Sequence, residues 1–186
     1  VDSIRGYFPT AAVVIMADGV RPQMEHRREQ YTEYVASIRA KAFAGEYGPS
    51  TIVRKFHEPS QQATMTRETL KDVDTPLIFF CEHDAILRRD RSEIAFPAIF
   101  NLLLSDGANL VRFYNWADVW HEHVPLMRGE FEHMGSRFVR TVQYSQWPLV
   151  SRTDYHRAIL ARHFLPGERK MIETNMYGPV AASTWE

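Results

Sequence analysis

One cysteine, Cys81, is all the chain carries in 186 residues, so no disulfide can form within it. That cysteine sits inside an apolar run, as a buried thiol does, and points to a reducing compartment. An excess of one charge is also missing: 22 Lys and Arg stand against 23 Asp and Glu, a formal net charge of -1. Without a basic field the chain has no means of holding duplex nucleic acid or an anionic membrane by bulk charge, and no bulk nucleic-acid binding is expected. The local group Arg88, Arg89 and Arg91 reads as a solvated helix start. No apolar run approaches the ~20 residues of a transmembrane helix, and the N-terminus lacks the basic-then-apolar order of a signal peptide. The expectation is a cytoplasmic protein with no transmembrane segment.

What is present is ordinary globular composition, 45% hydrophobic and 24% charged, which suits a packed core in a single domain over residues 1–186. The apolar run AAVVIM at 11–16 ends at Asp18-Gly19 and predicts a strand followed by a turn. Apolar residues at helical spacing predict a long helix from about Gln23 to Phe43, with Pro22 near its start. TIVRKF at 51–56 alternates as a strand does, and Thr66 is placed to cap a short helix ending before Pro76. PLIFFC at 76–81 predicts a strand buried on both faces. Further helices are expected over about 92–105 and 153–163, with strands at 110–116 and 140–144 and a polar, His-rich loop between those strands. YSQW is read as strand and Pro148 as a turn.

Strand and helix alternate through the first ninety or so residues, which argues for a mostly parallel sheet with helices on its faces. Ligands bind such sheets beyond the carboxyl ends of the strands. Glu82, His83 and Asp84 follow directly on PLIFFC and so stand where a site is expected, as do Asp18 and the pair His57-Glu58. In an extended stretch Glu82 and Asp84 point to one side and suit a hard cation such as Mg²⁺ or Mn²⁺, with a diphosphate completing its shell. The same two residues also suit a helix cap or pairing with Arg88 and Arg89. His121, Glu122, His123 and His133 form a second group. It suits either a zinc-dependent hydrolase built on the three histidines or a polar loop.

In the order of its elements, and in the segments AAVVIMADG, TIVRKF and PLIFFCEHDAIL, the chain resembles the nucleotide-binding half of a GT-A fold glycosyltransferase, most similar to family two. EHD stands where that family carries its Asp-x-Asp motif, with Glu in place of the first Asp. The resemblance implies an α/β, single GT-A-like (Rossmann-like) domain with a mostly parallel central sheet flanked by helices. Its nucleotide-binding half would span about 1–105 and its acceptor-side half about 106–186. It implies Mn²⁺ or Mg²⁺ held by Glu82 and Asp84, with Glu82 also facing the donor diphosphate and Asp18 and Glu58 near the nucleoside. It further implies a nucleotide-sugar donor of UDP or GDP type, a saccharide or other hydroxyl acceptor, and inversion with Glu173 in KMIETNMYG as general base. The family's Glu-Asp pair reads Glu-Thr there. Trp116, Trp120 and Trp147 are candidates to stack on sugar rings, and Arg152 and Tyr155 to approach donor phosphate or acceptor. A non-catalytic nucleotide- or sugar-binding module on the same fold is the third reading.

Overall fold

The β-branched runs near the N-terminus pair as expected. In the computed structural model, which describes residues 1–85, 87, 94–113, 121, 123–142, 144–145 and 147–176, the chain forms two compact units. The first is Val1–Asp72 with Leu165–Lys170. It opens on α1 (Asp2–Arg5), then β1 (Val13–Ala17), α2 (Arg28–Phe43), β2 (Thr51–Lys55) and α3 (Gln61–Leu70). β1 and β2 are parallel, with Val13 opposite Thr51 and Ala17 opposite Lys55. Parallel neighbours need a crossover, and α2 supplies it, entered through a 3-10 turn at Pro22–Arg27. Pro22 suits that entry because its missing N–H has no partner to lose there. Arg5 staples the unit's start. Its guanidinium donates to the carbonyls of Ala11 (2.6 Å), Tyr47 (2.7 Å) and Pro49 (2.7 Å) and to Thr51 Oγ1 (2.8 Å). On α3 the Ala63 amide donates to Lys170 O at 3.0 Å and Thr64 Oγ1 to Glu168 O at 2.9 Å, which ties residues 165–170 to this unit.

The second unit runs from Val73 to Ala85 and resumes through the later chain to Phe164 and again from Met171. Its elements are β3 (Leu77–Phe80), α4 (Phe96–Leu104), β4 (Leu110–Arg112), β5 (Met127–His133), β6 (Ser136–Thr141), β7 (Leu149–Arg152), α5 (Thr153–His163) and α6 (Ile172–Met176). β7 lies between β3 and β4 and is antiparallel to both, so β3 and β4 run in the same direction. Leu149, Val150 and Ser151 are buried in that central strand. Apolar residues of α4 (Ile99, Leu102, Leu103) and α5 (Ile159, Leu160) are buried in this unit. α6 adds Ile172 and Met176, four apart on one face. β5 and β6 form a hairpin closed by the pair His133 and Ser136, with Met134 (φ 50°) and Gly135 (φ 73°) as its two loop residues. Two left-handed residues in a two-residue loop make a type I′ turn, whose twist matches that of the strands.

The chain is thus mixed α/β, but in place of the single, mostly parallel central sheet expected from the sequence the described residues form three small sheets, among which β1–β2 is the parallel one. A four-residue apolar run looks alike in either direction, so the antiparallel return of β7 leaves no mark on the strand's own composition. The polar, His-rich loop expected ahead of residue 140 is largely the β5–β6 hairpin, and the strand expected at 140–144 ends at Thr141. The strand expected in YSQW lies instead after Pro148, as β7. α3 starts at Gln61, well before Thr66, and α4 at Phe96 with Pro97 in its first turn. α5 has the bounds expected. The two units divide at Asp72 and again near Leu165. Among the described residues no helix is long and apolar enough to cross a membrane.

Candidate functional site

Because β3 and β4 are each antiparallel to β7, both deliver their carboxyl ends to the same edge of the sheet. Phe80 and Arg112, their last residues, each pair with Leu149, the first of β7. The Phe113 amide donates to Pro148 O at 2.9 Å just beyond. Glu82 leaves β3 at this edge. It begins a turn in which the Ala85 amide donates to Glu82 O at 3.2 Å. Period-two alternation therefore does not bring Glu82 and Asp84 to one side, because His83 and Asp84 are turn residues and not an extended strand. The turn still places the carboxylates within each other's field. Burial raises the Glu82 carboxyl above the usual range, Asp84 raises it further, His83 opposes, and Glu173 from the first turn of α6 adds to the rise. Glu82 and Glu173 are half-buried, and Asp84 and His83 are exposed. Burial also pushes the neighbouring Cys81 thiol up, which keeps it protonated and unreactive.

The same neighbourhood contains two residues that the sequence reading passed over. Tyr144, 5% exposed, has its hydroxyl pushed up by burial and then by Glu173, Tyr155 and Glu82. His156 on α5 has its ring against both Phe80 and Tyr144. Its only sequence signal is its place on the buried face with Thr153, Ile159 and Leu160.

Asp18 and Glu58 belong to the first unit. Asp18 follows β1, and its carboxylate accepts the amides of Gly19 (2.8 Å) and Ser60 (2.6 Å) on Oδ1 and of Gln61 (3.1 Å) on Oδ2. It is a cap for α3 supplied from outside the helix. Tyr31 Oη donates to the Asp18 carbonyl at 2.8 Å. A Cβ on Gly19 would stand 2.2 Å from the Glu58 carbonyl carbon, so only glycine lets the 57–60 loop rise against the end of β1. The Glu58 side chain is exposed.

The histidines do not assemble. His133 ends β5 and bonds Asn101 Oδ1 at 3.0 Å, while His121 and His123 precede the strand, whose seven residues span about 20 Å at the usual rise. Among the described residues no three His, Cys, Asp or Glu side chains gather as a metal-holding group. Arg152 is engaged by Asp106 and by Asp154 at 2.7 Å. Trp147 is 40% exposed. Trp116, Trp120, Glu122, Arg88, Arg89 and Arg91 lie outside the described residues. A hollow of about 700 Å³ in the first unit is lined by Arg5, Tyr7, Glu46 and Tyr47 among others, and by none of the residues expected to form the site. Its one arginine is engaged by main-chain carbonyls and by Thr51 Oγ1.

Comparison with protein-family models, curated proteins and solved structures finds no match to this chain.

Proposed function

We propose that the chain is a metal-dependent glycosyltransferase of GT-A type that moves a sugar from a UDP- or GDP-type donor to an acceptor hydroxyl. The observation that carries this reading is the placement of Glu82 and Asp84 on the turn that directly follows the carboxyl end of β3. Glu82 and Asp84 are carboxylate oxygen donors of the hard kind that Mn²⁺ or Mg²⁺ takes, while Glu173 does not join them in a three-ligand group among the described residues. Glu82 and Asp84 would be the cation's protein ligands, with water and donor phosphates supplying the rest. When bound, the cation neutralises charge on the departing diphosphate. Glu173, half-buried at the start of α6, takes the proton of the attacking hydroxyl. The β1–α2–β2 crossover and the shared direction of β3 and β4 support the GT-A arrangement. The lone half-buried Cys81 suits a reducing, cytoplasmic setting.

Thermal denaturation with UDP or GDP, each with Mn²⁺, Mg²⁺ or Zn²⁺, tests the reading. A ligand at a hundred times its Kd adds about 2.7 kcal/mol to the folded state. A rise in Tm that needs nucleotide together with Mn²⁺ or Mg²⁺, and that is lost in Asp84→Ala, is the expected result. Stabilisation by Zn²⁺ alone, or none by any pair, overturns it.

A further inference from the structure

The segment that leads into β7 sets one large side chain outside the core of the second unit. Ser145 is 1% exposed and Leu149 0%, whereas Trp147 between them is 40% exposed. The Trp147 amide donates to Ser145 Oγ at 3.3 Å, which holds the backbone at this point. The indole is held by nothing comparable: among the described residues it has no ring partner, and its N–H has no acceptor. A packed Trp ordinarily finds a partner for that N–H.

Two pairings fix the place of this side chain. β7 is the middle strand, and on its β4 side the Phe113 amide donates to Pro148 O, so the chain is still alongside its neighbour one residue before β7 begins. On the other side the register runs from Leu77 with Arg152 to Phe80 with Leu149, and continued by two residues it sets Glu82 level with Trp147. Trp147 therefore enters the sheet at the edge where Glu82 leaves it. Two residues span at most ~7 Å, so neither position strays far from that edge.

A half-exposed indole offers an apolar face to the C–H side of a pyranose and an N–H to one of its hydroxyls. In a nucleotide-sugar the pyranose is bonded directly to the diphosphate, so a cation on Glu82 and Asp84 brings the sugar to this edge. We propose that Trp147 is the platform on which the donor's pyranose ring packs, and that it reads the sugar and not the nucleotide. The proposal rests on the transferase reading of the acidic turn.

The test titrates the full, ¹⁵N-labelled chain in Mg²⁺ with UDP against UDP-glucose, and with GDP against GDP-mannose. The indole N–H resonance of Trp147, assigned by its loss in Trp147→Phe, is expected to move with a nucleotide-sugar and to stay in place with the bare nucleoside diphosphate. Trp147→Ala is expected to weaken nucleotide-sugar binding about tenfold and to leave UDP and GDP within about twofold of the parent, as loss of one aromatic contact does. A resonance that moves alike with both ligands, or a nucleotide-sugar bound equally by parent and Trp147→Ala, overturns the proposal and leaves the transferase reading standing. Because the shift is read in the parent chain, it decides the matter even where Trp147→Ala does not fold. A parent that binds no nucleotide in Mg²⁺ or Mn²⁺ fails the transferase reading itself, and the proposal falls with it.

Discussion

Asp18 and Ser60, 42 residues apart in the chain, are joined by a 2.6 Å hydrogen bond from the Ser60 amide to Asp18 Oδ1. The Ser60 and Gln61 amides at the start of α3 are met by a carboxylate at the end of β1, which ties helix to strand at the rim of the parallel pair. Asp18→Ala removes three acceptor contacts at once. Loss of a cap of this kind costs about 1–2 kcal/mol. At about 2–4 °C for each kcal/mol in a chain of this size, the drop is readable by calorimetry, and Asp18→Asn, which keeps one acceptor oxygen, should fall less.

That cap also explains where the sequence stopped being readable. α3 begins at Gln61, after Ser60, a favoured cap type that the choice of Thr66 overlooked; the Ser60 side chain makes no cap bond, and the Gln61 amide is met by Asp18 from the end of β1. α5 was legible to the residue, since Thr153, His156, Ile159 and Leu160 mark one buried face of an uninterrupted helix. β1 and β3 were legible as apolar runs and β2 by its alternation, but strand direction was not, and β7 was missed because its four residues follow Pro148, which reads as a turn. The hairpin had alternation in RGEFEH and SRFVRT but no Asn-Gly at its tip, only Met134-Gly135. Of the site, the position of Glu82 and Asp84 after β3 followed from the sequence. The turn that holds them, and the buried pair Tyr144 and His156, needed the packing of His156 on α5 against Phe80 and Tyr144.

Met134 occupies a left-handed position at φ 50° with its side chain 62% exposed. It has backbone strain to lose and little packing. The left-handed region costs an ordinary residue about 1–2 kcal/mol, and Asn tolerates it better. Met134→Asn should raise the urea midpoint by the equivalent of about 0.5–1 kcal/mol with an unchanged m-value, provided the type I′ turn is as described.

Glu82 is held protonated more readily in the folded chain than in the unfolded one, since burial and the charges of Asp84 and Glu173 disfavour its carboxylate. A raised pKa contributes stability below the unfolded value and loses it as pH rises through the folded one. At neutral pH the charged side chain is therefore a burden on the metal-free protein. Glu82→Gln should stabilise that protein at pH 7, by no more than about 1 kcal/mol after solvent screening, and so raise its Tm. The same substitution should remove the response to Mn²⁺ with nucleotide. A variant less stable than the parent at pH 7 would show that Glu82 is tied down by favourable contacts and not strained by like charge.

His156 carries the opposite sign. Burial lowers its pKa to about 4 from an ordinary 6.5, so the unfolded chain binds a proton at this residue between those two values and the folded chain does not. Its contribution is fully present above pH 6.5 and is lost progressively as pH falls towards 4. At 1.36 kcal/mol for each pH unit, the loss is about 3 kcal/mol at most. Denaturant unfolding from pH 7 to pH 4.5 should therefore show stability falling in that window. His156→Gln, which has no proton to gain, should flatten the slope there even though it is less stable than the parent at pH 7, because the buried ring against Phe80 and Tyr144 is gone. An equal slope in parent and variant would mean that the imidazole is reached by water and ionises in place.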